Sequence, residues 1–346
     1  MNYVSLALLP CLLMALYNTG YQANSALDQL GIKTGLGWRG SVLNALGLGF
    51  NPASVSAAVC HGTLYVLPIY AVTAVTGSLW ERLFAMLRNR PVTEGCMLTA
   101  LLLTLSLPPT IPVWQAALGI SFGIVVGKAV FGGTGTNVLN PALAGLAFLY
   151  FAYPHQMTGD AVWTAVDGFS GATPLSVAAR GGLEALAESD ISWAQSFFGQ
   201  VQGSLGETST LACLLGAVFL LSTRVASWRI MLGVLVGMLA SVFFFNQLRS
   251  DTSPLSGLPW YWHLTLGSFA FGTVFMATDP VSAAMTDTGR WIYGVLIGFM
   301  IVLTRVANPA HPEGVMLAIL FGNIFAPLID YCVMWANIRR RARRSA

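Results

Sequence analysis

Apolar stretches separated by short polar or Gly- and Pro-rich breaks run the length of the chain, at 1–17, 57–80, 95–107, 112–130, 141–153, 208–223, 229–246, 263–278, 291–306 and 314–335. Each is read as a helix, because backbone in lipid must satisfy its own hydrogen bonds and an open strand cannot. The runs at 95–107 and 141–153 are short against the ~20 residues needed to cross ~30 Å of hydrocarbon. Met1 to Tyr17 lacks the basic leader and A-x-A site of a signal peptide and reads as a first span. Gly119, Gly123 and Gly127 recur every fourth residue, which predicts close helix packing. The expected fold class is all-α: one polytopic membrane domain over 1–346 with about ten transmembrane helices. Glu94-Gly95-Cys96-Met97-Leu98 echoes Glu313-Gly314-Val315-Met316-Leu317, which leaves open two pseudo-symmetric halves.

Composition agrees. Hydrophobic residues are 55% of the chain, charged residues 9% and mean hydropathy is +0.68, whereas a soluble domain carries about 25% charge. The net charge is +3, but Arg339, Arg340, Arg341, Arg343 and Arg344 crowd the C-terminus. That cluster reads as a cytoplasmic tail against anionic lipid, with no nucleic-acid partner expected. With the tail inside, ten spans leave Arg82, Arg88, Arg90, Lys128, Arg224, Arg229 and Arg290 inside with it, and Lys33, Arg39, Arg180, Arg249 and Arg305 outside. The positive-inside rule is met, and the loop 154–207 is expected to be extracytoplasmic.

Cys11, Cys60, Cys96, Cys213 and Cys332 all fall in apolar stretches without C-x-x-C spacing, so they are expected to be buried small residues. Zinc, or a cluster held by this chain alone, is not expected; a cluster shared with another subunit stays open. His61, His155, His263 and His311 are scattered, with His263 assigned to an interfacial aromatic belt.

The loop 154–207 contains Asp167-Gly168-Phe169-Ser170-Gly171-Ala172-Thr173. A threonine hydroxyl can accept the FMN phosphate as an ester. Pro174 biases Thr173 toward an extended backbone that would hold the hydroxyl out, and Gly168 and Gly171 permit a tight, accessible turn. Asn137, Asn140 and Pro141 precede one helix, and Asp279-Pro280 follows another. These suit helix capping, or equally contact with the polar edge of a flavin. Acidic groups near membrane spans are costly and hence candidates for function. Asp330, inside the last run, is the candidate for cation or proton coupling, or else for a hydrogen bond to a neighbouring helix; Glu81, beside Arg82, is either a second candidate or a paired interfacial carboxylate. Lys128 is expected to snorkel to the interface.

The D-G-x-S-G-A-T string matches the signature recognised by flavin transferases. With Trp114-Gln115-Ala116-Ala117-Leu118-Gly119, Phe131-Gly132-Gly133-Thr134-Gly135, Asn140-Pro141-Ala142-Leu143-Ala144-Gly145 and Ala277-Thr278-Asp279-Pro280-Val281-Ser282, the chain resembles the B subunits of bacterial Na+-translocating NADH:quinone oxidoreductases. It is more distantly similar to the D subunits of Rnf electron-transfer complexes. The resemblance implies ten helices, covalent FMN on Thr173 and non-covalent riboflavin at Asn137, Asn140, Pro141, Asp279 and Pro280. It implies electron flow to ubiquinone with Na+ export, in the bacterial inner membrane with both termini cytoplasmic. Implied partners are an extracytoplasmic FMN subunit, an NADH-oxidising flavin and iron–sulfur subunit, and a flavin transferase. Family members carry a cytoplasmic extension before the first helix, whereas this chain begins almost at that helix; quinone binding that depends on the extension is expected to differ. Two other readings are the Rnf protein, exchanging electrons between NADH and ferredoxin, and a solute channel without redox role.

Overall fold

The computed structural model describes residues 2–32, 37–89, 91–92, 95–248, 253–308 and 312–345. Lys33, Arg90, Glu94, Arg249 and His311, named above, lie outside them. The described residues are mostly helical, with no strand among them. In chain order the helices are α1 (Leu9–Gln29, preceded by a turn at Asn2–Ala7), α2 (Gly37–Ala45), α3 (Val55–Leu87), α4 (Cys96–Ser106) and α5 (Val113–Ile124), which runs into a π-helical turn at Val125–Ala129. They continue with α6 (Pro141–Ala152), α7 (Pro174–Glu188), α8 (Trp193–Phe198), α9 (Thr210–Ser222), α10 (Trp228–Leu248) and α11 (Trp260–Thr265). The last are α12 (Phe269–Phe271, running into a π turn at Gly272–Met276), α13 (Asp287–Ala307) and α14 (Val315–Ser345).

Five helices, counting the turn before α1 with it, are long and apolar enough to cross a membrane: α1, α3, α10, α13 and α14. Four shorter apolar helices, α4, α5 with its π turn, α6 and α9, match four further runs. The remaining run is broken into α11 and α12. Large apolar side chains such as Leu67, Val75, Leu79, Phe243 and Phe244 point outward, where lipid rather than water suits them.

The first run is longer than its hydropathy predicts. α1 continues to Gln29 because Asn18, Thr19, Gly20, Ala23 and Asn24 turn one small, polar face into the bundle. There Gly20 meets the Ala58 carbonyl and Gly62 meets the Leu16 carbonyl, an approach that no Cβ allows. Asn24 Oδ1 lies 2.8 Å from His61 Nδ1. The glycine stripe of α5 does what its spacing predicts: Gly123 rests on Pro141 and Gly119 on Leu149 of α6, with Gly145 returning the contact. Gly233 and Gly237 of α10 interlock with Gly294 and Gly298 of α13 in the same way. Association in lipid depends on such close approach, because leaving one apolar environment for another supplies little drive.

Helix starts follow their side chains. Ser54, Asn140, Thr173, Ser209 and Thr286 each accept a backbone N–H from the first turn they cap. A small second core, built from Leu175, Ala178, Leu186, Leu255, Leu258 and Trp262, ties α7 and α11 together over the Thr173 end of the bundle.

Candidate functional site

The two candidate flavin segments lie at opposite ends of α6. Asn140 and Pro141 start that helix; the loop carrying Thr173 follows its other end, about 18 Å away along the axis.

At the first end, Asn137, Asn140, Pro141, Asp279 and Pro280 all line one cavity of about 150 Å³. Its other walls include Leu98 and Leu102 of α4, Leu220 of α9 and Phe275, with Thr134, Thr278 and Lys128 adding polar groups. Two segments far apart in sequence are therefore brought together where the halves of the chain meet. Asn140 Oδ1 accepts from the N–H groups of Ala142 (3.0 Å) and Leu143 (3.4 Å), capping α6. Its Nδ2 donates to no protein group among the described residues. Asp279 behaves similarly: Oδ1 accepts from Val281 N–H (3.3 Å) and Oδ2 from the Ser282 hydroxyl (2.9 Å). Burial pushes the Asp279 carboxyl up, against those two bonds. Asn137 Nδ2 donates to Leu139 O (3.0 Å). The slot is mostly apolar and edged by amides, hydroxyls and one carboxyl, which offers a flat ligand apolar walls and hydrogen-bonding groups at its rim. Capping and lining are thus compatible roles of the same residues.

Lys128 is not at the interface as expected. It is buried, and its Nζ pairs with Glu81 Oε1, the two side chains being 5% and 6% exposed. Helical spacing explains this: Ile120, Ile124 and Lys128 recur every fourth residue, and Ile120 packs on Gly77 of α3, so the same face carries Lys128 toward Glu81. Glu81 takes this lysine and not Arg82, which is exposed.

At the other end, Thr173 has the extended backbone that Pro174 favours (φ −68, ψ 151), yet its side chain is not held out. It is 6% exposed and caps α7. Its Oγ1 accepts from Ser176 N–H (3.2 Å) and donates to Ser176 Oγ (3.2 Å). The capping geometry turns the hydroxyl inward, onto the helix it starts. Gly168 takes the left-handed turn (φ 81) and, with Asp167 and Ser170, is exposed. Ala172 packs on the small second core. Gly171 abuts the Gln202 side chain.

Thr173 shares a cavity of about 40 Å³ with Glu207, Glu313, Thr265 and Ser268. Burial pushes Glu207 up to about 7, opposed by the Ser204 hydroxyl that donates to it at 2.7 Å. Burial likewise pushes Glu313 up to about 7, opposed by Arg305. Sequence reasoning missed this acidic pair, whose residues are more than a hundred positions apart.

It also missed the role of Arg305, assigned to the outer side at the end of the run 291–306. Arg305 is wholly buried. It donates to His263 O (3.1 Å) and Leu266 O (2.7 Å), and lies 3.2 Å from His263 Nδ1. Breaking the helix between α11 and α12 frees carbonyls inside the bundle, and the guanidinium satisfies them. His263 is therefore buried beside Arg305, not part of an aromatic belt. The available signals were an arginine in an apolar run and Gly267, which takes φ 63 at the break.

Asp330 lies on α14 and reaches the loop before α13. Oδ2 accepts from Met285 N–H (2.7 Å), and Oδ1 accepts from Thr286 N–H (3.0 Å) and the Thr286 hydroxyl (2.5 Å). Of the cysteines, Cys11 and Cys213 are buried with their sulfurs 3.8 Å apart, and Cys96 is buried. Cys60 is half-buried and Cys332 is exposed, because those positions face outward on α3 and α14.

A family model described as the NQR2, RnfD, RnfE family matches residues 1–339. The B subunit of the Na(+)-translocating NADH-quinone reductase of Azotobacter vinelandii is 56% identical over 348 residues, covering 100% of this chain and 86% of that protein. Its counterpart in Pseudomonas aeruginosa is 54% identical over 347 residues, covering 100% and 86%. The corresponding B subunit of Chromohalobacter salexigens is 55% identical over 343 residues, covering 99% and 83%.

Proposed function

The chain belongs to the NQR2, RnfD, RnfE family, and from that premise we propose that it is the B subunit of a Na+-translocating NADH:quinone oxidoreductase. In this reading it passes electrons from FMN esterified to Thr173, through riboflavin, to ubiquinone, coupled to Na+ export. Its expected setting is the bacterial inner membrane, with the termini cytoplasmic and the Thr173 loop periplasmic. The partners are an extracytoplasmic FMN subunit, an NADH-oxidising flavin and iron–sulfur subunit, and a flavin transferase that loads Thr173.

One observation carries the reading: Asn137, Asn140, Pro141, Asp279 and Pro280, from two distant segments, line a single cavity. A solute channel gives no reason for that meeting, nor for a flavin-transferase motif at the other end of α6. The relatives described above are all B subunits, which favours this reading over the Rnf one.

Bound flavins would supply the redox chemistry. The chain supplies the surroundings. The Asn140 Nδ2 and the Asp279 carboxyl would meet the polar edge of riboflavin, while Leu98, Leu102 and Phe275 exclude water from its ring. At Thr173 the ester phosphate would take over the Ser176 N–H that the hydroxyl now accepts, and a helix N-terminus suits an anion. Glu81 and Asp330 are the proposed cation-responsive carboxylates.

The test is a flavin inventory of the purified assembled complex. Acid extraction should release riboflavin, while FMN stays on this chain through denaturing electrophoresis. A chain that retains no flavin after denaturation, in a complex active with NADH and quinone, would refute the Thr173 assignment.

A further inference from the structure

The cavity beside Thr173, about 40 Å³, has room for one small ion with little water. Glu207 enters it from the loop before α9 and Glu313 from the loop before α14, more than a hundred positions apart. Thr265, which ends α11, and Ser268 flank the helix break at Gly267 on a third side. Each of these four side chains carries oxygen.

The Glu207 carboxyl is fixed in place. Leu205 N–H donates to Leu107 O (3.0 Å) and Gly206 N–H to Leu105 O (2.7 Å), which straps its loop across the end of α4. The Ser204 hydroxyl donates to its Oε2 (2.7 Å). Between the two strapped carbonyls lies Ser106, 5% exposed. Its hydroxyl faces the Glu207 carboxyl, yet makes no hydrogen bond of regular geometry among the described residues. A buried hydroxyl without a regular partner, beside a carboxyl, is where a further polar atom fits.

The charges around the cavity do not balance. The Glu313 carboxylate has no hydrogen bond among the described residues, and Glu207, Glu313 and Arg305 form no ion pair among them. Arg305 gives its donors to the carbonyls of His263 and Leu266, and its Nε has no partner among the described residues. Tyr150 of α6, Cys213 of α9 and His263 are the other titratable groups nearby, and none of them adds a negative charge. With both carboxylates ionised, two negative charges face one positive charge. A buried charge is costly unless it is paired, so one proton or one monovalent cation makes up the difference. Burial holds the proton until about pH 7.

We propose that Glu207 and Glu313 bind one monovalent metal cation of the size of Na+ in this cavity, with the Ser204, Thr265 and Ser268 hydroxyls as further oxygen ligands. Hard cations take such all-oxygen surroundings. The cation and the proton compete for the same two carboxylates. Binding follows from the cavity alone. Its use as a point of Na+ release rests on the function and topology proposed above, which put this end of the bundle outside. An ester phosphate on Thr173 would add negative charge at the rim and favour the cation further.

The test uses the assembled complex, purified in detergent and melted at matched ionic strength in NaCl and in choline chloride, whose cation is too large for the cavity. At about pH 8, where both carboxyls are mostly ionised, Na+ should raise the melting temperature saturably, as a ligand of the folded state does. At about pH 6 the proton holds the pair, and several-fold more Na+ should be needed for half the effect. Glu207→Gln combined with Glu313→Gln copies the protonated pair. It should lose this pH-sensitive part of the Na+ effect and bind one radioactive Na+ fewer in equilibrium dialysis, with Glu81 and Asp330 as in wild type. If that variant fails to assemble, Ser268→Ala keeps both carboxyls and should raise the half-effect Na+ concentration several-fold. Equal Na+ effects in wild type and the variant tested would overturn the proposal. So would a wild type that responds to pH but melts alike in NaCl and choline chloride, because the pair then holds a proton only. A complex that binds the ion here but moves no Na+ during NADH oxidation upholds the site and refutes the proposed pump, so the two failures are distinct.

Discussion

Lys128 and Glu81, from α5's π turn and α3, form an ion pair inside the bundle, with side chains 5% and 6% exposed. Lys128 also lines both the candidate riboflavin cavity and a smaller one that Glu81 shares with Arg88. One lysine thus forms part of the wall between a proposed redox site and a proposed ion-responsive carboxylate.

Removing one partner of a buried pair strands the other charge, at about 3–5 kcal/mol. Lys128→Met should therefore lower the melting temperature of the purified complex markedly. Adding Glu81→Gln to it should restore most of the loss, because the stranded carboxylate is gone. If Lys128→Met melts like wild type, the pair is not held out of water.

The ten apolar runs are legible because lipid imposes one rule on every residue of a span, and hydropathy reports that rule directly. What resists reading is each polar group whose partner lies far away in sequence. Local spacing pairs Glu81 with its neighbour Arg82 and sends Lys128 to the surface; only the packing of α5 on α3 brings Lys128 and Glu81 together. Arg305 reads as an outer-side charge at the end of an apolar run because its acceptors, the carbonyls of His263 and Leu266, exist only once the helix has broken at Gly267. The riboflavin candidates fare better. Asn140-Pro141 and Asp279-Pro280 each announce a turn at a helix end locally, and the fold then places both on one cavity. The motif marks Thr173 but not its burial, since the Ser176 N–H that draws the hydroxyl inward belongs to a helix that no apolar run announces.

Thr173→Ala should abolish denaturation-resistant fluorescence and the mass gain of one FMN less water. Because Thr173 also caps α7, it should cost about 0.5–2 kcal/mol as well. Thr173→Ser keeps both hydroxyl and cap, and should retain stability and at least part of the flavin. Full fluorescence in the alanine variant would mean that the attachment residue is another one.

Asn140 caps α6 and faces the cavity, and one substitution separates the two roles. Asn140→Ser keeps a capping oxygen but removes the amide, so the complex should assemble normally with depleted riboflavin. A lost contact of ~1–3 kcal/mol is roughly a tenfold to hundredfold fall in occupancy at limiting flavin. Asp279→Leu should deplete riboflavin as well. Full riboflavin in Asn140→Ser, with loss in Asn140→Leu, would reduce the residue to a helix cap.

Glu207 and Glu313 carry a pH signature. Both carboxyls rise from the ordinary 4.5 to about 7 on folding, so the folded state holds protons that the unfolded chain releases. Their contribution is fully present below pH 4.5, falls as pH rises, and is lost above about pH 7. Melting of the complex across that window should decline more steeply in wild type than in a Glu207→Gln, Glu313→Gln double variant. Parallel curves would mean that the pair titrates normally.

Asp330 accepts three hydrogen bonds from Met285 and Thr286, at the end of the loop that begins with Asp279. Anchorage and ion coupling therefore make different predictions for two substitutions. Asp330→Asn removes the charge but keeps size and one acceptor oxygen; Thr286→Val removes one of the three bonds, together with the α13 cap, but leaves the charge. If the carboxylate answers to Na+, Asp330→Asn should keep both flavins while Na+ stimulation of NADH:quinone activity falls, and Thr286→Val should respond to Na+ as wild type does. If Asp330 only anchors the loop, both variants should lose riboflavin and assemble poorly, with Na+ stimulation intact in what survives. Flavin content and Na+ dependence measured on one preparation of each variant decide the matter. An unchanged Na+ response in a fully assembled Asp330→Asn complex would rule out an ion role for this residue.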